Sequence, residues 1–239
     1  MHELSKFYFN FNKKQDYNPV FCVFYWLHLD SFVDFEVLKV GVETVVLALG
    51  SCGVIVFLAY FAAYFKKLYP ADKASFLYRL SFLGYATPGV IVAMSITVMF
   101  GEFDGMIGYK VLSGGFLALV AAYAIRYFAA SIGSIEGGFE RIDKNTDDAV
   151  KMFSKSFIFR FFYIYPPMTA RYIVTAFLIV YIDVAKELPA TLVLRPFNFD
   201  TLSVKIYGFA SNENVVSTAP YAVLLLFGTV TAALAIEFL

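Results

Sequence analysis

Apolar residues in this chain fall in long continuous runs separated by short polar stretches, rather than in the alternation of a half-buried strand. Five runs approach or exceed the roughly twenty residues that an α-helix needs to cross a bilayer core, where a helix satisfies every backbone group within itself. They extend from about Val37 to Phe65, Leu80 to Phe100, Val111 to Ile132, Met168 to Glu187 and Thr218 to Leu239. A sixth run, Val20 to Leu29, is only half that length and predicts a periplasmic or interfacial element, with Tyr25 and Trp26 suited to a membrane surface.

The pattern changes between the third and fourth runs, in the longest polar stretch of the chain, residues 134–172. Thr146 predicts a helix cap, and Asp147 and Asp148 suit the positive end of a helix dipole. From there Ala149, Val150 and Phe153, continuing to Phe157, recur at helical spacing and predict an apolar face on a helix outside the membrane. Such a face needs a cover, either the lipid surface or a groove in a soluble partner.

A second irregularity is "YIDVAKELPATLVLRP", residues 181–196. Asp183, Lys186 and Glu187 lie three and four apart and predict one polar helix face, Lys186 pairing with Asp183 while Glu187 reaches the exit of the membrane. Pro189 ends or kinks the helix. Leu188 and the run up to Arg195 then predict a short re-entrant or interfacial element, because irregular backbone at membrane depth persists only where protein or a wet cavity surrounds it. Pro88 and Gly89 predict a similar break in the second run.

Composition agrees: 60% of the 239 residues are hydrophobic and 16% charged, which excludes a soluble domain and makes this an integral membrane protein. The net charge of zero gives no sign of a nucleic-acid partner. Charge placement sets the expected orientation. Lys66, Lys67, Lys73 and Arg79 follow the first span, and Arg126, Arg141, Lys144, Lys151, Lys155, Arg160 and Arg171 follow the third, so these loops should face the cytoplasm. The N-terminus is then outside and the C-terminus inside. An outside N-terminus without a signal-peptide pattern predicts a preceding span, and the apolar run reaching Leu239 predicts further chain.

Candidate chemistry is sparse. Cys22 and Cys52 read as small buried side chains, and His2 and His28 are too far apart in sequence to suggest a metal site. No G-x-x-x-x-G-K-[ST] loop is present, so ATP chemistry is not expected of this chain. On physics alone, Asp183, Lys186 and Glu187 also suit the relay of an ion-coupled secondary transporter, a reading that leaves the cytoplasmic helix unexplained.

"DDAVKMFSKSFIFRFFYIYPP" resembles the EAA loop of permease subunits of binding-protein-dependent ABC importers. On that resemblance Asp148, Ala149 and Val150 stand for the Glu-Ala-Ala core, Phe153 lies on the docking face, Ser154 takes the glycine position, and Tyr165 with Pro166 forms the closing pair. "LSFLGYATPGVIVAM" and "DVAKELPATLVLRPFNFDTLSVKIYGFAS" are similar to the branch that imports ferric iron, often with two permease halves fused. The resemblance implies an all-α type I (MetI-like) permease bundle over 37–239, with a coupling loop at about 134–168 and residues 1–36 as a separate N-terminal segment. It also implies an inner-membrane location and three partners: an ATP-binding subunit carrying ATP and Mg, a periplasmic binding protein and a second permease half. No cofactor on this chain is implied. Asp183, Lys186, Glu187, Leu188, Pro189 and Arg195 would form a gate on the translocation path, with Arg195, Asp200 and Lys205 facing the binding protein. Ferric iron is the favoured cargo; thiamine, molybdate or a phosphonate are the alternatives.

Overall fold

The computed structural model describes residues 34–68, 82–109, 112–154, 156–214 and 216–239. The predicted element at Val20 to Leu29, and with it Cys22, lies outside them. Every described element is helical.

Five helices are long and apolar enough to span: α1 (Phe35–Leu68), α2 (Gly89–Ile107), α3 (Phe116–Glu140), α5 (Phe157–Ala185) and the run Val216–Glu237, whose α-helical part is α8 (Ala219–Glu237). Between them lie α4 (Lys144–Phe153), α6 (Pro189–Leu194) and α7 (Leu202–Ser211). At 1.5 Å per residue α1 is about 50 Å long, so one or both ends leave the hydrocarbon. The central packing unit is α1, α3 and α5, each touching the other two; α2 and α6 pack on α3 and on each other, and α7 and α8 close the other flank.

Small residues set these distances. Ala48, Cys52 and Ala59 of α1, and Ala118 and Ala122 of α3, are fully buried, which lets backbones approach where apolar driving force alone cannot hold helices together. At Gly138 a Cβ would lie 2.9 Å or less from Tyr172 Cβ and Cγ, the tightest sign of the α3–α5 approach. Outward-facing Val42, Val46, Val54 and Phe57 of α1 are exposed, as a lipid-facing side should be.

Several predicted boundaries move. The predicted start of the second span at Leu80 lies outside the described residues; residues 82–86 are helical, Thr87 Oγ1 donates to Gly84 O at 2.8 Å, Pro88 is extended, and α2 then runs from Gly89 to Ile107 instead of stopping at Phe100. Its far end is fixed by Asp104, a buried acid that accepts hydrogen bonds from the backbone N–H groups of Leu112 (2.9 Å) and Ser113 (2.8 Å). The third span runs on to Glu140 and the fourth begins at Phe157, so much of the predicted cytoplasmic loop is helix continuous with the spans. Arg126, Arg160 and Arg171 therefore lie within helices, not in a loop.

A π-helical turn, Arg160–Ile164, interrupts α5 near its start. Tyr165 N–H bonds to Arg160 O, one residue beyond α register, so Phe161 O loses its usual donor, and the next in line, Pro166, has no N–H. The buried Tyr60 hydroxyl of α1 donates to that carbonyl at 3.1 Å.

Candidate functional site

Two constellations stand out, one around α4 and one where α5 meets α6. Helix α4 starts one turn earlier than predicted: Asp143, not Thr146, occupies the cap position, without a side-chain capping bond. Phe157 is not part of it, since the chain extends at Ser154 and the next helix begins at Phe157. The apolar face is also split. Val150 is buried against the bundle, whereas Ala149, Met152 and Phe153 face outward, Phe153 being 84% exposed. Ser154 has φ −144°, extended backbone that serine adopts without strain, and its N–H bonds to Val150 O.

Asp147 holds α4 to the spans. Its carboxylate accepts hydrogen bonds from Tyr165 of α5 at 2.6 Å, Lys67 of α1 at 3.0 Å and Lys151 of its own helix at 2.7 Å. Burial alone would raise its pKa, but hydrogen bonds from Lys151, Tyr165 and Lys67 outweigh it and hold the carboxyl down at about 2. Lys67 also lies 5.1 Å from the Tyr165 ring centroid. Asp148, the residue that the motif singled out, is 73% exposed and only 3.6 Å from Lys151. The sequence offered two adjacent acids with no means of telling which one faces the bundle.

At the elbow, α5 ends at Ala185, earlier than expected. Pro189 cannot donate to the Ala185 carbonyl, and Ser203 Oγ does so at 2.9 Å. Lys186 pairs with Asp183 at 2.9 Å as predicted. Glu187, however, does not point to the exit: with the helix already finished, its side chain turns inward and is 6% exposed. It is ion-paired with Arg126 of α3, accepts from the Tyr127 hydroxyl, and caps α6 by accepting from Ala190 N–H at 3.2 Å. Thr191 donates to Glu187 O at 2.8 Å, and the Tyr123 and Thr191 hydroxyls lie 2.6 Å apart. A Cβ on Gly89, the first residue of α2, would sit 2.7 Å from both Arg126 Nη1 and Glu187 Oε1, so glycine is what lets α2 start against this pair. Leu188 and Pro189 form the turn into α6, whose Ala190, Thr191 and Leu194 are buried against α2 and α3. Arg195 follows as the end of α6, ion-paired with Asp200; Lys205 bridges Asp200 (3.4 Å) and Glu36 of α1 (2.7 Å).

Sequence reasoning missed Arg126, Tyr127, Lys67 and the inward role of Asp147. Arg126 carried a signal: a lone charge inside the apolar run "LALVAAYAIRYFAAS" belongs to the bundle interior rather than to a loop. Among the described residues no cluster of three His, Cys, Asp or Glu side chains is arranged to hold a metal ion.

Five spanning helices, an amphipathic helix tied to them from outside, and a charged elbow packed at bundle depth define a polytopic membrane protein. The chain belongs to the family described as binding-protein-dependent transport system inner membrane component, whose model matches residues 55–239. It is thus a multi-pass inner-membrane ABC permease component. It is similar to the Fe(3+)-transport system permease protein FbpB 2 of Haemophilus influenzae, 26% identical over 151 residues, a stretch that is 62% of this chain and 28% of that protein. The resemblance to permeases of binding-protein-dependent importers agrees with the family match, and that to the ferric branch with the relative.

Proposed function

We propose that this chain is one permease half of an ATP-driven importer that carries a small substrate handed over by a periplasmic binding protein, with ferric iron as the cargo. The carrying observation is α4: an amphipathic helix with Ala149, Met152 and Phe153 turned outward, tethered through Asp147 to two spans. Covering two such side chains by a groove is worth about 1.5–3 kcal/mol each before the cost of association, a contribution to docking a soluble subunit. That subunit is an ATP-binding protein carrying ATP and Mg, the partner that the resemblance of "DDAVKMFSKSFIFRFFYIYPP" to the EAA loop implies. Lys66, Lys67 and Lys151 gather at the same end, which supports a cytoplasmic placement of α4, with the N-terminal end of α1 outside and the chain's C-terminus inside.

Closure of two ATPase subunits on ATP would move α4, and Asp147 passes that movement to α1 and α5 together, since Lys67 and Tyr165 share its carboxylate. The far end of α5 is the elbow, where Asp183, Lys186, Glu187, Leu188 and Pro189 line the gate of the path. Arg195, Asp200 and Lys205 face the binding protein. A second half, a copy or a fused partner, completes the pore. Iron rests on the resemblance of "KELPATLVLRP" and on the relative; thiamine, molybdate and phosphonate are the competing cargos.

The test is co-expression with the ATP-binding subunits of the same genome, followed by purification in detergent. An ATPase should co-elute with the native chain and be lost with Ala149→Arg, which puts a cation on the outward face. Retention by Ala149→Arg and Phe153→Asp alike would refute docking through α4. Uptake of radiolabelled ferric iron into proteoliposomes, with molybdate and thiamine as competitors, then decides the cargo.

A further inference from the structure

The Arg126–Glu187 pair joins three elements that the chain keeps far apart in sequence. Arg126 lies ten residues into α3, Glu187 forms the corner between α5 and α6, and Gly89 opens α2 directly against both. The side chains are 17% and 6% exposed, so each charge depends on the other for solvation. Glu187 is also the only carboxylate that α6 uses for its N-terminal turn, through Ala190 N–H among the described hydrogen bonds. Tyr127 occupies the second carboxylate oxygen, and Tyr123 pins Thr191 one turn further on. Lys186, the nearest cation in sequence, is taken by Asp183 and points to solvent.

Separating Arg126 from Glu187 would leave two uncompensated charges at bundle depth, a cost that well-packed neutral side chains at the same places would not carry. The elbow is therefore fastened by a charge pair rather than by apolar contact alone. We propose that Arg126 is the positioning residue of the elbow: its ion pair with Glu187, seated against Gly89, holds α6 and the head of α2 on α3, and the elbow stays closed while the pair is intact. This rests on the proposed function only in that the elbow lines the translocation path.

The test reads the elbow directly. In the full chain with Cys22 and Cys52 replaced by serine, Ala190→Cys places a thiol at a fully buried position beside the pair. Its labelling rate with a membrane-impermeant maleimide should be slow in the parent and rise at least about ten-fold with Arg126→Met. Glu187→Gln is the second variant: its amide oxygen still caps α6 while the ion pair is gone, and it should accelerate labelling similarly. The double variant Arg126→Met/Glu187→Gln removes the pair without leaving a lone buried charge at the elbow, and it should still label at least several-fold faster than the parent, since the fastening itself is gone. Parent-like rates in both single variants would overturn the proposal. So would a double variant that returns to the parent rate, because neutral packing and not the charge pair would then hold the elbow. A separate arm adds ATPase, ATP and binding protein to the parent: if the single variants accelerate but the assembled transporter never labels, the pair is a static brace and the gate reading fails instead.

Discussion

A methyl group on Gly89 would lie 2.7 Å from each of two paired atoms, a guanidinium nitrogen and a carboxylate oxygen. Gly89→Ala should therefore cost about 1–3 kcal/mol by overpacking, read as a lower midpoint in thermal unfolding in detergent. Gly50→Ala in α1 is the control: nothing lies within 4 Å of its added Cβ, and its effect should be neutral or slightly stabilising. Tyr60 makes a related point. Its hydroxyl replaces the donor that the π turn and Pro166 deny to Phe161 O, so Tyr60→Phe leaves a buried carbonyl unpaired and should cost about 1–3 kcal/mol in the same measurement.

At the scale of elements, α4 matters because it is fastened to two spans by one carboxylate. The Asp147 carboxyl is held at about 2 in the folded chain, below its ordinary 3.8. Protons therefore bind the unfolded chain more readily, and the stabilisation is complete above about pH 5 and disappears as the pH falls through about 4 to about 2. Discounted for solvent screening at a partly open helix surface, it amounts to about 1 kcal/mol. Asp147→Asn should lower the unfolding midpoint at neutral pH and flatten its decline between about pH 5 and pH 3, whereas Asp148→Asn, at an exposed side chain, should leave both unchanged. An unaltered acid limb in Asp147→Asn would show that the tether is not the group titrating there.

Across the whole molecule, two of the ionic systems that join elements carry unequal weight. The outer chain of pairs, Arg195–Asp200–Lys205–Glu36, ties the α6–α7 connection to the head of α1, with Glu36 62% exposed. Glu36→Gln should change stability by less than about 1 kcal/mol, and by less still at high salt, as unfolding at low and high ionic strength would reveal. Breaking the Arg126–Glu187 pair, mostly shielded from solvent, by removing one partner should cost more and should vary little with salt.

The apolar runs determined the number of spans and their order, because the bilayer demands a length and a composition that can be counted residue by residue. The motif residues Asp148 to Ser154 marked the amphipathic helix, and Pro88 and Pro189 marked the breaks, since a missing N–H is a local fact. Partners were not local. Lys67 and Asp147, or Arg126 and Glu187, lie 80 and 61 residues apart, and only the packing of α3 against α5 and α6 brings the second pair together. A charge count along the loops placed Arg126 in the cytoplasm, and helical spacing sent Glu187 to the exit, since neither has a means of seeing a partner across the bundle. Which of two adjacent acids faces inward, and which cation neutralises a buried carboxylate, is settled by the rotation and contact of whole helices, and that is decided in three dimensions.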